Sequence, residues 1–321
     1  SNPEKQRDIL DGGAGNDFLK GGRGDDVLIG GSGNDVMNGG DGTDAADYNS
    51  ESGSITINFD GSTNVPDITV NDSSGGIDNL YSIEKIVGTI GNDAFTFKGE
   101  IPDGFNLLID SGGGSHDQLN LQQAVDTAGM FVLITNSEAG EGYIRSKSGT
   151  TGRIKFTNFH TDIIGSDYAD TITDDSSGVH TIDGGAGDDK ITVSGSGATI
   201  DGGAGNDVIH LKTAAATIKF GVGGGHDVVE FDSGDGDYNL ALQNLNPDDV
   251  EVIAGGHKIY GQGWSNDGNP YHDGFHAQFI AVRIKATGET ITFLENGDNV
   301  GPGGLTYDAV EGARKLDSIT F

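Results

Sequence analysis

Five aspartates, Asp8, Asp17, Asp26, Asp35 and Asp44, recur every nine residues in a glycine-rich stretch, and two positions after each stands Leu10, Leu19, Leu28, Met37 or Ala46. The windows GGAGNDFLK (12–20), GGRGDDVLI (21–29), GGSGNDVMN (30–38) and GGDGTDAAD (39–47) carry the period, after a degenerate first copy ending in DIL. Glycines free the backbone for a six-residue turn, and the closing triplet has one inward apolar residue between two outward ones, which suits a very short strand. Two nonapeptides then make one flattened coil of eighteen residues, and coils stack at the parallel-sheet spacing of roughly 4.8 Å. This places Asp8, Asp26 and Asp44 along one edge of the stack, with Asp17 and Asp35 along the other.

Carboxylates at that spacing repel by about 3 kcal/mol per pair at an effective dielectric near 20. A cation must sit between them. The donors on offer are carboxylates and turn carbonyls, the chain has no cysteine, and histidine follows no period. Such a set selects a hard ion, and the loose geometry of calcium suits a bridge from turn to turn better than that of magnesium.

With these residues the chain resembles the RTX family, whose GGxGxDxUx nonapeptides build a calcium-bound parallel β-roll. The likeness is close over residues 3–47 and modified over 165–230. It implies an all-β fold, a parallel β-roll or β-helix with two RTX repeat blocks, a strand-rich intervening region and a C-terminal β cap. The expected divisions are 1–47, 48–160, 161–231 and 232–321. The resemblance further implies several Ca2+ ions, held in the first block by Asp8, Asp17, Asp26, Asp35 and Asp44 with Gly13, Gly15, Gly22, Gly24, Gly31 and Gly33. In the second block it assigns Asp170, Asp189, Asp207 and Asp227 with Gly185, Gly187, Gly203 and Gly205.

The second block has its own rhythm. Its aspartates are spaced 19, 18 and 20 residues apart, one full coil each, while the alternate windows keep Ile182, Ile200 and Ile218 but place His180, Ala198 and Ala216 where aspartate would stand. Calcium is therefore expected along one edge only. Ile172, Ile191, Ile209 and Val229 should face the other isoleucines across a thin core.

Between the blocks, residues 48–160 read as longer alternating strands, such as 54–59, 68–70, 94–97, 106–109, 130–134 and 153–156. Two readings stay open for this region, a continuation of the stack or a separate β-sandwich. An internal echo links Ile86-Val87-Gly88 with Asp93 and Phe95 to Ile163-Ile164-Gly165 with Asp170 and Ile172. Asp78, Asp93 and Asp117 are isolated candidate ligands here. From about residue 231 the repeat stops, and a β-rich segment is expected to cover the end of the roll.

Composition excludes whole classes of function. Lys and Arg number 18 against 50 Asp and Glu, a formal charge of −32, too negative for nucleic acid or an anionic membrane surface. With 56 glycines and 34% hydrophobic residues, the chain offsets its conformational entropy poorly until metal is supplied. No stretch of eighteen apolar residues and no N-terminal secretion signal occurs. A chain that opens inside a repeat is expected to be a piece of something longer. The resemblance implies type I export, a secreted or cell-surface location, and the type I machinery as a partner, with the tail 317–321 as a candidate part of its signal.

Catalytic signatures are absent: no HExxH, no GxSxG, and no Asp-Pro bond for self-cleavage. One polar cluster breaks the pattern, His257, Tyr260, Trp264, Asp267, Tyr271, His272, Asp273 and His276. It reads either as a transition-metal or general-base site with sugar platforms, or as an aromatic-rich loop. The chain is thus read as a non-enzymatic, calcium-binding structural or export module of a secreted toxin, adhesin or exoenzyme. The alternatives are the repeat module of a polysaccharide-active enzyme, and an adhesin segment that binds a surface or glycan ligand through residues 48–160.

Overall fold

The computed structural model describes residues 7–59, 68–99, 101, 104–114, 116–134, 141–149, 152–159, 161–176, 180–212, 215–232, 238–256, 277–295 and 316–320. In the first block the nine-residue period becomes strands on alternate sides of a flat coil. Ile9–Asp11, Val27–Ile29 and Ala45–Asp47 pair in parallel on one side, and Phe18–Arg23 with Val36–Asp41 on the other. Ile9 faces Val27 and Phe18 faces Val36, so residues eighteen apart are vertical neighbours. The middle residue of each triplet points inward. Leu28, Met37 and Ala46 are fully buried, and Leu10 packs against them at the end of the stack.

These strands belong to two sheets that run through the described chain, one of fifteen strands and one of thirteen. The backbone crosses from one sheet to the other at nearly every turn. It departs from that rule three times, where an antiparallel triplet stays within one sheet. Thr56–Phe59, Ile68–Asn71 and Ile77–Tyr81 form the first triplet, in the thirteen-stranded sheet. Met130–Ile134, Gly142–Ser146 and Arg153–Thr157 form the second, in the opposite sheet. Val250–Gly256, Ala277–Ile284 and Thr290–Glu295 form the third, also in the fifteen-stranded sheet.

A triplet fills three rows where a coil fills one. The first two triplets lie in opposite sheets, so the rows they add cancel, and the sheets are level again when the second block begins. The third adds rows to one sheet only, which accounts for the excess of fifteen over thirteen. Residues 48–160 thus continue the stack: Ala45–Asp47 pairs directly with Lys85–Val87, and Asp117–Ala124 with Thr161–Ile164. In the second block Ile172, Ile191, Ile209 and Val229 form one inward column, and Ile163, Ile182, Ile200, Ile218 and Leu240 the other. All of these side chains are buried.

The core changes character along the stack. Repeat coils bury Leu, Met, Ile and Ala, whereas the rows around the triplets bury Phe59, Phe95, Phe97, Phe156 and Phe159. Ring centroids there lie 4.6–5.9 Å apart, and Phe105 packs on Phe59 at 4.7 Å. Phe220, in the strand Ala216–Gly221, is a buried ring of the second block. Each buried aliphatic side chain contributes roughly 1.5–3 kcal/mol.

Close stacking also limits what the turns tolerate. Gly33 has φ +130°, and a Cβ there would lie 2.0 Å from the Gly15 carbonyl oxygen below it; Gly15 has φ +120° but nothing within 4 Å of such a Cβ. Both alanine substitutions strain the backbone by about 1–2 kcal/mol, but only Gly33→Ala also drives the coils apart. Its thermal midpoint is expected to fall well below that of Gly15→Ala. Equal midpoints would show that these turns do not stack in solution.

Candidate metal centre

Each repeat aspartate stands at the corner where a turn enters its sheet, immediately before a strand except for Asp227, which is the second residue of His226–Phe231. At Asp26, Asp35, Asp44, Asp189, Asp207 and Asp227 the Oδ1 atom accepts the backbone N–H of the equivalent residue one coil away. Asp26 accepts from Asp8, Asp44 from Asp26 and Asp35 from Asp17, each at 2.8 Å. The second block repeats the arrangement: Asp189 accepts from Asp170 at 2.7 Å, Asp207 from Asp189 at 2.9 Å and Asp227 from Asp207 at 3.0 Å. Each carboxylate is therefore tied at one oxygen to its neighbouring coil.

The other oxygen is left over. Oδ2 of Asp17, Asp26, Asp35, Asp44, Asp189 and Asp207 is buried and has no hydrogen-bond partner. A buried anionic oxygen without a partner costs several kcal/mol, and a column of them adds mutual repulsion. Hard oxygen donors held in this way fit calcium. Among the described residues no three acidic, histidine or cysteine side chains come together, so turn carbonyls must complete any ligand set. The glycines assigned to the sites from the sequence, Gly13, Gly15, Gly22, Gly24, Gly31, Gly33, Gly185, Gly187, Gly203 and Gly205, all adopt positive φ. Gly205 shows the consequence: a Cβ there would lie 2.0 Å from the Gly187 carbonyl oxygen, so successive turns stack carbonyl over glycine.

Asp170 stands apart from the other aspartates assigned to metal. Its Oδ1 accepts Met130 N–H at 2.5 Å and the Ser166 hydroxyl at 2.8 Å, while Oδ2 accepts Ser166 N–H at 2.6 Å. Asp93 is closed in the same way, by Ile55 N–H and the Thr89 hydroxyl on Oδ1, both at 2.9 Å, and by Thr89 N–H on Oδ2 at 2.8 Å. In both turns the second glycine of the repeat is replaced by a hydroxyl residue. Ile55 precedes and Met130 opens the first strand of an inserted triplet, so the residue that donates to Asp93 or Asp170 from the neighbouring row is not a carboxylate that could share a metal. Lys147 brings a cation of its own, its ammonium donating to the Ala169 carbonyl beside Asp170. The sequence echo between the two regions is this closure, used once after each of the first two triplets.

Other features were not legible as motifs. Glu84 replaces aspartate in the fourth coil of one edge, where Oε2 accepts Asp44 N–H at 2.9 Å; its place directly before the strand Lys85–Val87 was the available signal. Asp78 accepts Asp35 N–H at 2.8 Å, and its Oδ2 accepts the buried Tyr48 hydroxyl at 3.0 Å. Asp117 accepts Asp93 N–H at 3.0 Å. On the plain edge of the second block, His180, Ala198 and Ala216 are buried. His180 Nδ1 lies 2.7 Å from Asp174 Oδ2 and 3.2 Å from Ser176 Oγ. Both contacts fall on one ring nitrogen in a buried cluster, which ties a turn together and leaves no relay from serine through histidine to aspartate. The cluster at residues 257–276 lies outside the described residues.

Residues 7–45, 181–196 and 193–211 match the family model for the RTX calcium-binding nonapeptide repeat, in four copies. No curated protein matches the chain. Among solved structures, the extracellular lipase LipA from Serratia marcescens is similar at 16% identity and a TM-score of 0.30 over 98% of this chain. The chain spans 38% of that lipase's length, and at this score the likeness carries no weight for fold or activity. Among the described residues no helix is long and apolar enough to cross a membrane.

Burial, reinforced by neighbouring carboxylates, pushes Asp189 and Asp227 up to about 8 and Asp207 up to about 6, from 3.8. Between these values and 3.8 the metal-free fold binds more protons than the unfolded chain, so its stability is highest on the acid side and is lost as pH rises through 6 and then 8. In chelator the thermal midpoint is expected to fall as pH is raised from about 5 to about 8. Saturating calcium should abolish that fall, since the metal replaces the protons. A chelated midpoint indifferent to pH over this range would contradict the buried ladder.

Proposed function

Because the chain carries RTX calcium-binding nonapeptide repeats, we propose that it is the calcium-gated structural module of a secreted protein, exported unfolded by a type I system and folded outside the cell. The observation that carries this reading is the series of buried, partnerless Oδ2 atoms at Asp17, Asp26, Asp35, Asp44, Asp189 and Asp207. RTX repeats bind calcium. Here the ion supplies the positive charge between coils, and the chain's own residues supply the rest. The aspartates fix each coil to the next through Oδ1, the glycines turn carbonyls into the stack, and the apolar columns exclude water from the interior.

Metal then governs folding. With a charge of −32, a chain in low-calcium cytoplasm meets self-repulsion and orphaned carboxylates, which favour an extended, threadable state. Millimolar calcium outside the cell reverses that balance by mass action. Asp170 is left outside the calcium set, its oxygens being engaged by Ser166 and Met130. Circular dichroism of the chelated chain titrated with calcium is expected to show a cooperative gain of β structure, with none from magnesium at equal concentration. A chain fully folded in chelator, or equally responsive to magnesium, would overturn the reading.

One surface favours a further role as a ligand-binding segment. Phe131 and Tyr143 stack at 5.8 Å, with the Arg145 guanidinium 4.7 Å above Phe131 and that of Arg153 5.4 Å from Tyr143. Neither guanidinium pairs with a carboxylate among the described residues, although acidic side chains abound. Half-exposed stacked rings flanked by guanidinium groups suit the face of a sugar. Retention on a polysaccharide resin is expected to weaken in Arg145→Ala/Arg153→Ala, while unchanged retention would remove this role.

A further inference from the structure

The turn formed by residues 73–78 is no nonapeptide copy, and the match to the repeat ends at residue 45 in this part of the chain. It nevertheless stacks on the repeat turn 30–35 as one coil on the next. Asp78 Oδ1 accepts Asp35 N–H at 2.8 Å, and Val36 pairs with Asn79. Ile77 N–H donates to Asn34 Oδ1 at 2.8 Å, just as Asn34 N–H donates to Asn16 Oδ1 at 3.0 Å. Gly76 lies against the Gly33 carbonyl as Gly33 lies against that of Gly15. Asp78 therefore has the place of the repeat aspartate, yet the oxygen that a repeat leaves free is taken here by the Tyr48 hydroxyl at 3.0 Å.

The free oxygen of this turn belongs to Asp72 instead. Asp72 is only 6% exposed. Its Oδ1 accepts Ser74 N–H and the Ser74 hydroxyl at 2.8 Å and Gly76 N–H at 2.7 Å, whereas Oδ2 has no partner. A Cβ on Gly76 would lie 2.6 Å from Asp72 Oδ2 and 1.8 Å from the Gly33 carbonyl oxygen, so both oxygens converge on one glycine Cα. The repeats show the same convergence. A Cβ on Gly21 would meet Asp26 Oδ2 at 2.5 Å and the Gly39 carbonyl at 2.6 Å, and one on Gly184 would meet Asp189 Oδ2 at 2.4 Å and the Gly202 carbonyl at 2.2 Å.

We infer that Asp72 is a ligand of an additional calcium site, completed in part by the carbonyl oxygen of Gly33, at the junction between the first repeat block and the first inserted triplet. The inference rests on the calcium reading of the repeats. Tyr48 has withdrawn Asp78 from that role, and a carboxylate from outside the nonapeptide pattern supplies the oxygen in its place. Asp72 is buried, with one carboxylate oxygen free of hydrogen bonds and no ion-pair partner among the described residues, a condition that a divalent cation relieves. Calcium here would fasten the triplet to the repeats, so that the order of the strand Ile77–Tyr81 depends on the same ion as the coils beneath it.

Bound calcium per chain, counted by elemental analysis after removal of free ion, tests the site. Asp72→Asn, which keeps the acceptor for Ser74 and Gly76, is expected to hold about one ion fewer than wild type, and Asp26→Asn serves as the repeat control. A count lowered by Asp26→Asn but unchanged by Asp72→Asn would overturn this site and leave the calcium function standing. Wild type that retains no calcium would overturn both. Should Asp72→Asn fail to fold, crystals of the wild-type chain grown with terbium decide the matter. An anomalous peak within coordination distance of Asp72 Oδ2 supports the site, and peaks at the repeat turns with none there refute it.

Discussion

The whole architecture hangs on how one aspartate divides its two oxygens. Oδ1 is bound to the N–H of the neighbouring coil, which fixes the vertical step; Oδ2 is buried with nothing among the described residues to satisfy it, as at Asp26 and Asp207. The first bond makes the stack regular, and the second oxygen makes it conditional on a cation. Hydrophobic burial alone is a weak alternative, because a coil that turns in on one or two aliphatic residues, such as Leu28 or Met37, buries little area per residue ordered. The sheets supply continuity, but the edges decide whether they form.

Where the edge pattern is interrupted, hydroxyl side chains close three of the carboxylates. Tyr48 closes Asp78, Thr89 closes Asp93 and Ser166 closes Asp170. All three lie next to the inserted triplets, where the core also becomes aromatic. The two changes fall together: aromatic packing and hydroxyl-closed corners hold these rows where the nonapeptide pattern is interrupted. Placing the first two triplets in opposite sheets lets the stack absorb them without losing level.

The period of nine was legible because each physical requirement, an edge carboxylate, a turn glycine and an inward aliphatic residue, recurs at fixed phase in the sequence. Residues 9–47 and the columns of isoleucine in the second block follow from it directly. What escaped was set by partners distant in the chain. Ser166 in place of the second turn glycine was a local signal at Asp170, but nothing local reports that Met130 N–H, forty residues away, also fills its Oδ1. The pairing of Tyr48 with Asp78 and the orphaned oxygen of Asp72 depend on how a triplet folds back onto the coil at 30–35. Periodicity sees the regular ladder, whereas the departures from it appear only when neighbouring rows are known.

Residue-resolved amide hydrogen exchange, with and without calcium, tests the central claim most directly. The N–H groups of Asp8, Asp17, Asp26, Asp170, Asp189 and Asp207 each report on one rung of the ladder. Removing calcium is predicted to abolish protection at these rungs while amides beside the hydroxyl-closed corners, such as Thr89 and Ile55, keep more of theirs. Protection at the repeat rungs that is the same with and without calcium would contradict the account, because the unpartnered oxygens would then carry no conditional role.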